Sequence, residues 1–117
     1  MNNFRDLNVW QKAVELATKI YQATDHFPKT ENYGLTSQIR GSAISISSNI
    51  AEGAGRRSHK EFRQFLDVAT GSCYELETQL TISNNLGYID QELFLTLKKS
   101  LIEIQKIIYA LINSLEA

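Results

Sequence analysis

Arg56, Arg57, Lys60 and Arg63 place four basic side chains within eight positions, opposed locally only by Glu61, for a local charge of about +3. Cations at that density attract phosphate, and their setting strengthens the attraction. Gly53, Gly55 and Ser58 mark a turn there, and a helix beginning at Ser58 presents unpaired N–H groups and the positive end of its dipole to an anion. Arg40 is a further candidate for such a contact. The same residues also fit another account, in which Arg56 and Arg57 are solvated turn residues while Lys60 and Arg63 offset Glu52. Both accounts stay open on the sequence.

No other set of residues converges on chemistry. His26 sits in a proline-containing loop and His59 at a helix start, and their spacing to Cys73 or to any carboxylate pair matches no metal-binding pattern. Cys73 lies on an apolar stripe between Ala69 and Leu76, where a thiol behaves as a small hydrophobe. Glu75 and Glu77 are two apart on a helix and point in different directions, so they cannot form an acid–base pair; solvation or pairing with Arg40 suits them better. The run Gly53-Ala54-Gly55 lacks the lysine and the spacing of a phosphate-cradling loop. Tyr33, Tyr74, Tyr88 and Tyr109 can stack bases, but tyrosines more often edge cores and interfaces. The sequence therefore predicts no enzyme, no cofactor and no metal.

The elements that must position the basic cluster follow from periodicity. The first helix is expected from Asn8 as N-cap to about Thr24, with Val9, Ala13, Val14, Ala17, Ile20 and Tyr21 on its buried stripe and Trp10 beside it. Pro28 breaks the chain. The second helix starts between Tyr33 and Thr36 and runs to about Glu52, with Leu35, Ile39, Ala43, Ile46 and Ile50 as a bundle seam. Gly53, Ala54 and Gly55 end it, with glycine free to take the left-handed conformation. Ser58 and Glu61 then have the spacing of a capping box, and Phe62, Phe65, Leu66, Ala69, Cys73, Leu76 and Leu80 keep helical phase to about Leu86, where Gly87 stops the third helix. Asp90 caps a fourth, whose stripe is Leu93, Leu97, Leu101, Ile104, Ile108, Leu111 and Leu115, widened by Leu95, Ile102, Ile107 and Ile112. The extra apolar residues predict a second buried face, in the bundle or against another subunit.

Long helices joined by short connections predict an all-α, antiparallel, up-down-up-down four-helix bundle. With a turn centred near Arg56, Gly41 is expected to face Gly71 across a close backbone approach, and Glu52 to come near Lys60 and Arg63. The 117 residues suit a single domain spanning residues 1–117. Net charge is −1 and pI about 6.1, so the molecule as a whole has no electrostatic pull toward nucleic acid or an anionic membrane. A single cysteine, no basic-then-apolar N-terminal segment and no apolar run of membrane-spanning length lead us to expect a cytoplasmic protein without a membrane role.

Several segments, in order, resemble one family. Phe4-Arg5-Asp6-Leu7, Val9-Trp10-Gln11-Lys12-Ala13, Tyr33-Gly34-Leu35-Thr36 and Gln38-Ile39-Arg40 open the match. Ser45-Ile46, Ser48-Asn49-Ile50-Ala51-Glu52-Gly53, Gly55-Arg56, Gly71-Ser72 and Glu75-Leu76-Glu77-Thr78-Gln79-Leu80 complete it. The chain resembles the bacterial four-helix-bundle proteins encoded within intervening sequences of 23S ribosomal RNA genes. That resemblance implies a homo-oligomeric ring, a pentamer, and a kinship with the accessory variability protein of diversity-generating retroelements, a basic pentameric barrel that binds nucleic acid and a reverse transcriptase. This chain departs from that relative in charge, which leaves only Arg56, Arg57, Ser58, Lys60, Arg63 and Arg40 as phosphate candidates. A family name that invokes the ribosome reflects gene location and does not establish a ribosomal role. Asn49, Glu52, Gly53, Gly55 and Gly71 carry the signature and have a structural reading: Asn49 bonding across helices, Glu52 pairing with Lys60 or Arg63, and the glycines setting the hairpin.

The expected function is thus an oligomeric, non-enzymatic accessory protein that contacts RNA or DNA phosphates through the basic turn. The competing expectation is an oligomeric scaffold that binds a protein partner and has no affinity for polynucleotide.

Overall fold

The computed structural model describes residues 3–116. Four helices account for most of them: α1 (Asn8–Thr24), α2 (Leu35–Ala54), α3 (His59–Asn85) and α4 (Gln91–Ser114), with single 3₁₀ turns at Phe4–Asp6 and Lys29–Glu31. There is no strand among the described residues. At 1.5 Å per residue α3 is about 40 Å long and accounts for the 45 Å long axis of the molecule.

The apolar stripes meet in one core, built on Leu16, Ile20, Ile39, Ile46, Ile50, Leu66, Leu76, Leu80, Leu97, Leu101, Ile104 and Ile108, all less than 2% exposed or close to it. Small side chains let α2 pack tightly between α1 and α3, since Ala43, Ser42 and Ser47 are buried on its flanks. Ser47 Oγ donates to the Ile44 carbonyl within α2 at 3.0 Å, and between the helices Ser72 Oγ of α3 donates to Ser45 Oγ of α2 at 2.8 Å. Neighbouring helices touch end to start. The last turn of α1 meets Arg40 near the start of α2, Gly53 at the end of α2 lies against Phe62 and Phe65 at the start of α3, and Arg63 reaches the carbonyl of Leu115 at the end of α4.

The caps explain the boundaries. Ser58 Oγ accepts from Glu61 N–H at 3.1 Å, and Asp90 Oδ1 accepts from Leu93 N–H at 2.8 Å. At the end of α3, Gly87 adopts φ +77°, its N–H reaches the Asn84 carbonyl and Tyr88 N–H reaches that of Ser83, the left-handed closure that only glycine makes cheaply. The two loops at this pole are stitched together, with Phe27 against Tyr88 at 5.2 Å and the Tyr88 hydroxyl donating to Glu31 Oε2 at 3.0 Å.

Several sequence expectations change. Asn8 is the first residue of α1, and the cap position belongs to Leu7, which offers no side-chain bond. Val14 and Tyr21 are exposed while Leu16 takes the buried place, because the stripe steps through 9, 13, 16 and 20 and leaves 14 and 21 beyond its edge. In α4 the buried centre is Phe94, Leu97, Leu101, Ile104 and Ile108, with Leu93 and Leu111 only half-buried. Gly53 and Ala54 continue α2, and Gly55 closes it at φ −83° without a left-handed residue. The turn is Gly55–Ser58, still centred beside Arg56, but Ser45 of α2 meets Ser72 of α3, so the two helices pack in a different register from the one the turn centre implies. Gly41 and Gly71 make no close approach: a Cβ on either meets nothing within 4 Å. The close approach is at Gly53, where a Cβ would lie 2.7 Å from Phe65 Cβ and 2.8 Å from Phe62 Cδ1.

Candidate nucleic-acid interface

The turn between α2 and α3 carries the basic cluster because the chain must reverse there. Arg56, Arg57 and Lys60 are exposed, whereas Arg63 is half-buried. Arg56 is held with its guanidinium 4.6 Å from the centre of the Phe65 ring, a cation–π contact that fixes its direction while leaving its N–H groups open. Ser58 serves as the cap of α3 and its Oγ also lies 3.2 Å from Glu61 Oε1, so its hydroxyl is already engaged. The ion pairs seen among the described residues are Lys12–Glu103 and Glu15–Lys19, and Glu52 makes none with Lys60 or Arg63. The turn thus keeps Arg57 and Lys60 unneutralised at the start of α3, beside helix N–H groups that favour anions.

Two candidates leave the group. Arg63 donates to the Leu115 carbonyl, where a cation at the end of α4 complements both the orphan carbonyl and the dipole. Arg40 sits sixteen residues before Arg56 on α2, about 24 Å away. Its Nε donates to Thr24 Oγ1 at 2.8 Å, its Nη2 donates to the Tyr21 carbonyl at 3.3 Å, and its guanidinium stacks 4.5 Å over the Tyr21 ring. It closes the last turn of α1 and pairs with neither Glu75 nor Glu77.

The signature residues fall into four settings. Asn49 Nδ2 donates to the Ser45 carbonyl at 2.7 Å and to Ser45 Oγ at 3.0 Å, within its own helix and not across helices. Ser45 in turn meets Ser72, so Asn49 acts on α3 through that serine. Gly53 is required by the close approach of Phe62 and Phe65, Gly55 lies in the turn, and Gly71 and Glu52 are exposed.

Reactive groups are quiet. Burial pushes the Cys73 thiol up to about 12, which removes the thiolate near neutral pH. No cluster of three or more His, Cys, Asp or Glu able to hold a metal exists among the described residues.

Sequence reasoning passed over a second cationic surface. Leu95, Lys98, Lys99, Ile102, Glu103 and Lys106 line one outward face of α4. The signal lies in basic and apolar residues at spacings of three, four and seven; Leu95 and Ile102 point to a second buried face, and the lysines set among them give that face its charge. A polar groove between α2 and α3 was also missed, lined by Gln38, Gly41, Ser42, Ser45, Ser72, Glu75 and Gln79.

Comparison with known proteins agrees with this architecture. The sequence pattern described as 23S rRNA-intervening sequence protein matches residues 5–110. Among solved structures, a protein of unknown function from the S23 ribosomal protein family of Bacteroides thetaiotaomicron is 26% identical, with 89% of this chain and 97% of that chain covered and a TM-score of 0.80. The search of curated proteins returned no match.

Proposed function

The chain belongs to the 23S rRNA-intervening sequence protein family, and from that premise we propose that it is a non-enzymatic, oligomeric accessory protein of the bacterial cytoplasm that contacts RNA or DNA phosphates through the α2–α3 turn. The observation that carries this reading is the unneutralised turn: Arg56 aimed by Phe65, with Arg57 and Lys60 exposed at the start of α3 and no carboxylate paired to them. One such turn offers two or three phosphate contacts, too few for tight binding. A ring, with five copies by family likeness, multiplies them through effective concentration. The contacts are to backbone phosphate, since the cations of this turn are not laid out along a helix face or strand that could enter a groove and read base edges. No helix among the described residues is long and apolar enough to cross a membrane.

A second reading, an oligomeric scaffold for a protein partner, is favoured by the exposed apolar residues Leu95, Ile82 and Val68, which nucleic acid has no use for. Binding of labelled RNA and DNA over a salt series separates the two, with the wild type compared against Arg56→Glu/Arg57→Glu/Lys60→Glu. Affinity that drops by roughly one power of salt concentration per contacted phosphate, and vanishes in the variant while helicity is kept, supports the phosphate reading. Absence of binding at low salt overturns it and leaves the scaffold.

A further inference from the structure

Two helices of this chain carry outward stripes at heptad spacing, and the stripes are opposite in character. On α4, Leu95, Ile102 and Tyr109 recur every seven residues, with Leu95 51% and Tyr109 68% exposed, and Lys99 and Lys106 stand between them. Neither lysine is in an ion pair among the described residues; Glu103 beside them is taken by Lys12 at 2.6 Å, and Glu92 lies one heptad before Lys99. On α3, Val68, Glu75 and Ile82 recur at the same spacing, with Val68 53% and Ile82 43% exposed and Gly71 and Thr78 between. From Gln64 to Asn85 α3 has no lysine, arginine or histidine, while Asp67, Glu75 and Glu77 all fall there. Both stripes span fifteen residues, about 21 Å from first to last.

From this match we propose that the outer face of α4 seats against the α3 face, and the adjoining α2–α3 groove, of a second copy of the chain. The inference rests on the oligomer reading above and names its contact surfaces. The two faces differ, so each copy offers one of each, a head-to-tail contact that propagates around a ring.

The register supports it. Arg63 and Leu115 meet at one pole and the Leu86–Asp90 connection joins α3 to α4 at the other, so positions on the two helices share levels in order. In a ring of copies standing parallel to its axis those levels are kept between neighbours. Leu95 then comes beside Ile82, Lys106 beside Gly71, and Tyr109 beside Val68. Long side chains meet a glycine or small apolar residues, and Glu75 falls between the levels of Lys99 and Lys106. Glu75 lines the α2–α3 groove, whose walls are small at Gly41, Ser42, Ser45 and Ser72. A lysine ammonium from the neighbour supplies a partner for the exposed Glu75.

Light-scattering mass at micromolar concentration tests the proposal. The wild type is expected at a multiple of 13.3 kDa. Lys99→Glu/Lys106→Glu, and separately Asp67→Lys/Glu75→Lys, should each fall to 13.3 kDa with helicity kept, and combining all four in one chain should restore the larger mass. A wild-type monomer overturns the oligomer reading itself. An oligomeric wild type whose Lys99→Glu/Lys106→Glu variant keeps its mass overturns only this interface. Unchanged mass with weakened RNA binding assigns the lysines to phosphate and overturns it as well. Failure of the four-fold variant to reassemble overturns the α3 face as the partner.

Discussion

Replacing Gly53 with alanine should destabilise the protein, although in most helix interiors the same change stabilises. Alanine gains about 1 kcal/mol over glycine in helix propensity. The new Cβ, however, would lie 2.7 Å from Phe65 Cβ, and ordinary contact begins near 3.4 Å, so the helices must separate by about 0.7 Å at that point. Phe65 Cβ is fixed to the α3 backbone and cannot rotate away, whereas Phe62 Cδ1 can shift with its ring. Overpacking of this kind costs about 1–3 kcal/mol. The net loss is therefore about 1 kcal/mol. Gly41→Ala is the control, because α2 is also helical there and a Cβ meets nothing within 4 Å; it should gain about 0.5–1 kcal/mol. The two variants should differ by about 1.5–2 kcal/mol, or roughly 5–10 °C in Tm for a chain of this size. Urea and thermal unfolding followed by circular dichroism at one protein concentration measure the gap. If Gly53→Ala is as stable as Gly41→Ala, the close approach of α2 and α3 is not what demands the glycine.

Further outcomes follow from single contacts. Ser58→Ala removes the cap of α3 and should cost about 1 kcal/mol in the same unfolding assay, with Ser58→Asp retaining most of the stability. Arg63→Gln should speed hydrogen exchange in the last turn of α4, since the Leu115 carbonyl loses its donor, while leaving the α2–α3 turn unchanged. The folded Cys73 thiol should resist a thiol-specific reagent at pH 8 and react once the chain is denatured. Its folded value near 12 exceeds the ordinary 9.0, so the unfolded chain releases its proton first and stability should decline as pH rises from about 9 toward 12; Cys73→Ala should flatten that decline. The hydrogen bond and charge of Lys12 hold the Glu103 carboxyl below its ordinary 4.5, so the stability it lends is present above that value and lost as pH falls below it, and Glu103→Gln should remove that acid-side loss.

The sequence by itself determined the number and rough extent of the helices. Periodic burial, the caps at Ser58 and Asp90 and the stop at Gly87 are local effects, decided by residues within one or two turns of one another. It also placed the basic turn, because Arg56, Arg57 and Lys60 are neighbours in the chain and had to be neighbours in space. The tertiary structure alone decided which cations stay free. Arg40 is spent on the Thr24 hydroxyl and the Tyr21 carbonyl in the last turn of α1, and Arg63 on the Leu115 carbonyl that caps α4, partners sixteen or more residues away that no local pattern announces. Sidedness was equally out of reach of the sequence: the register of α2 against α3 puts the close packing at Gly53 and leaves Gly41 and Gly71 open. The same register puts Ser45 opposite Ser72. The centre of a turn does not fix how far two helices slide past each other, so the interlocking side chains of the packed core set the pairing.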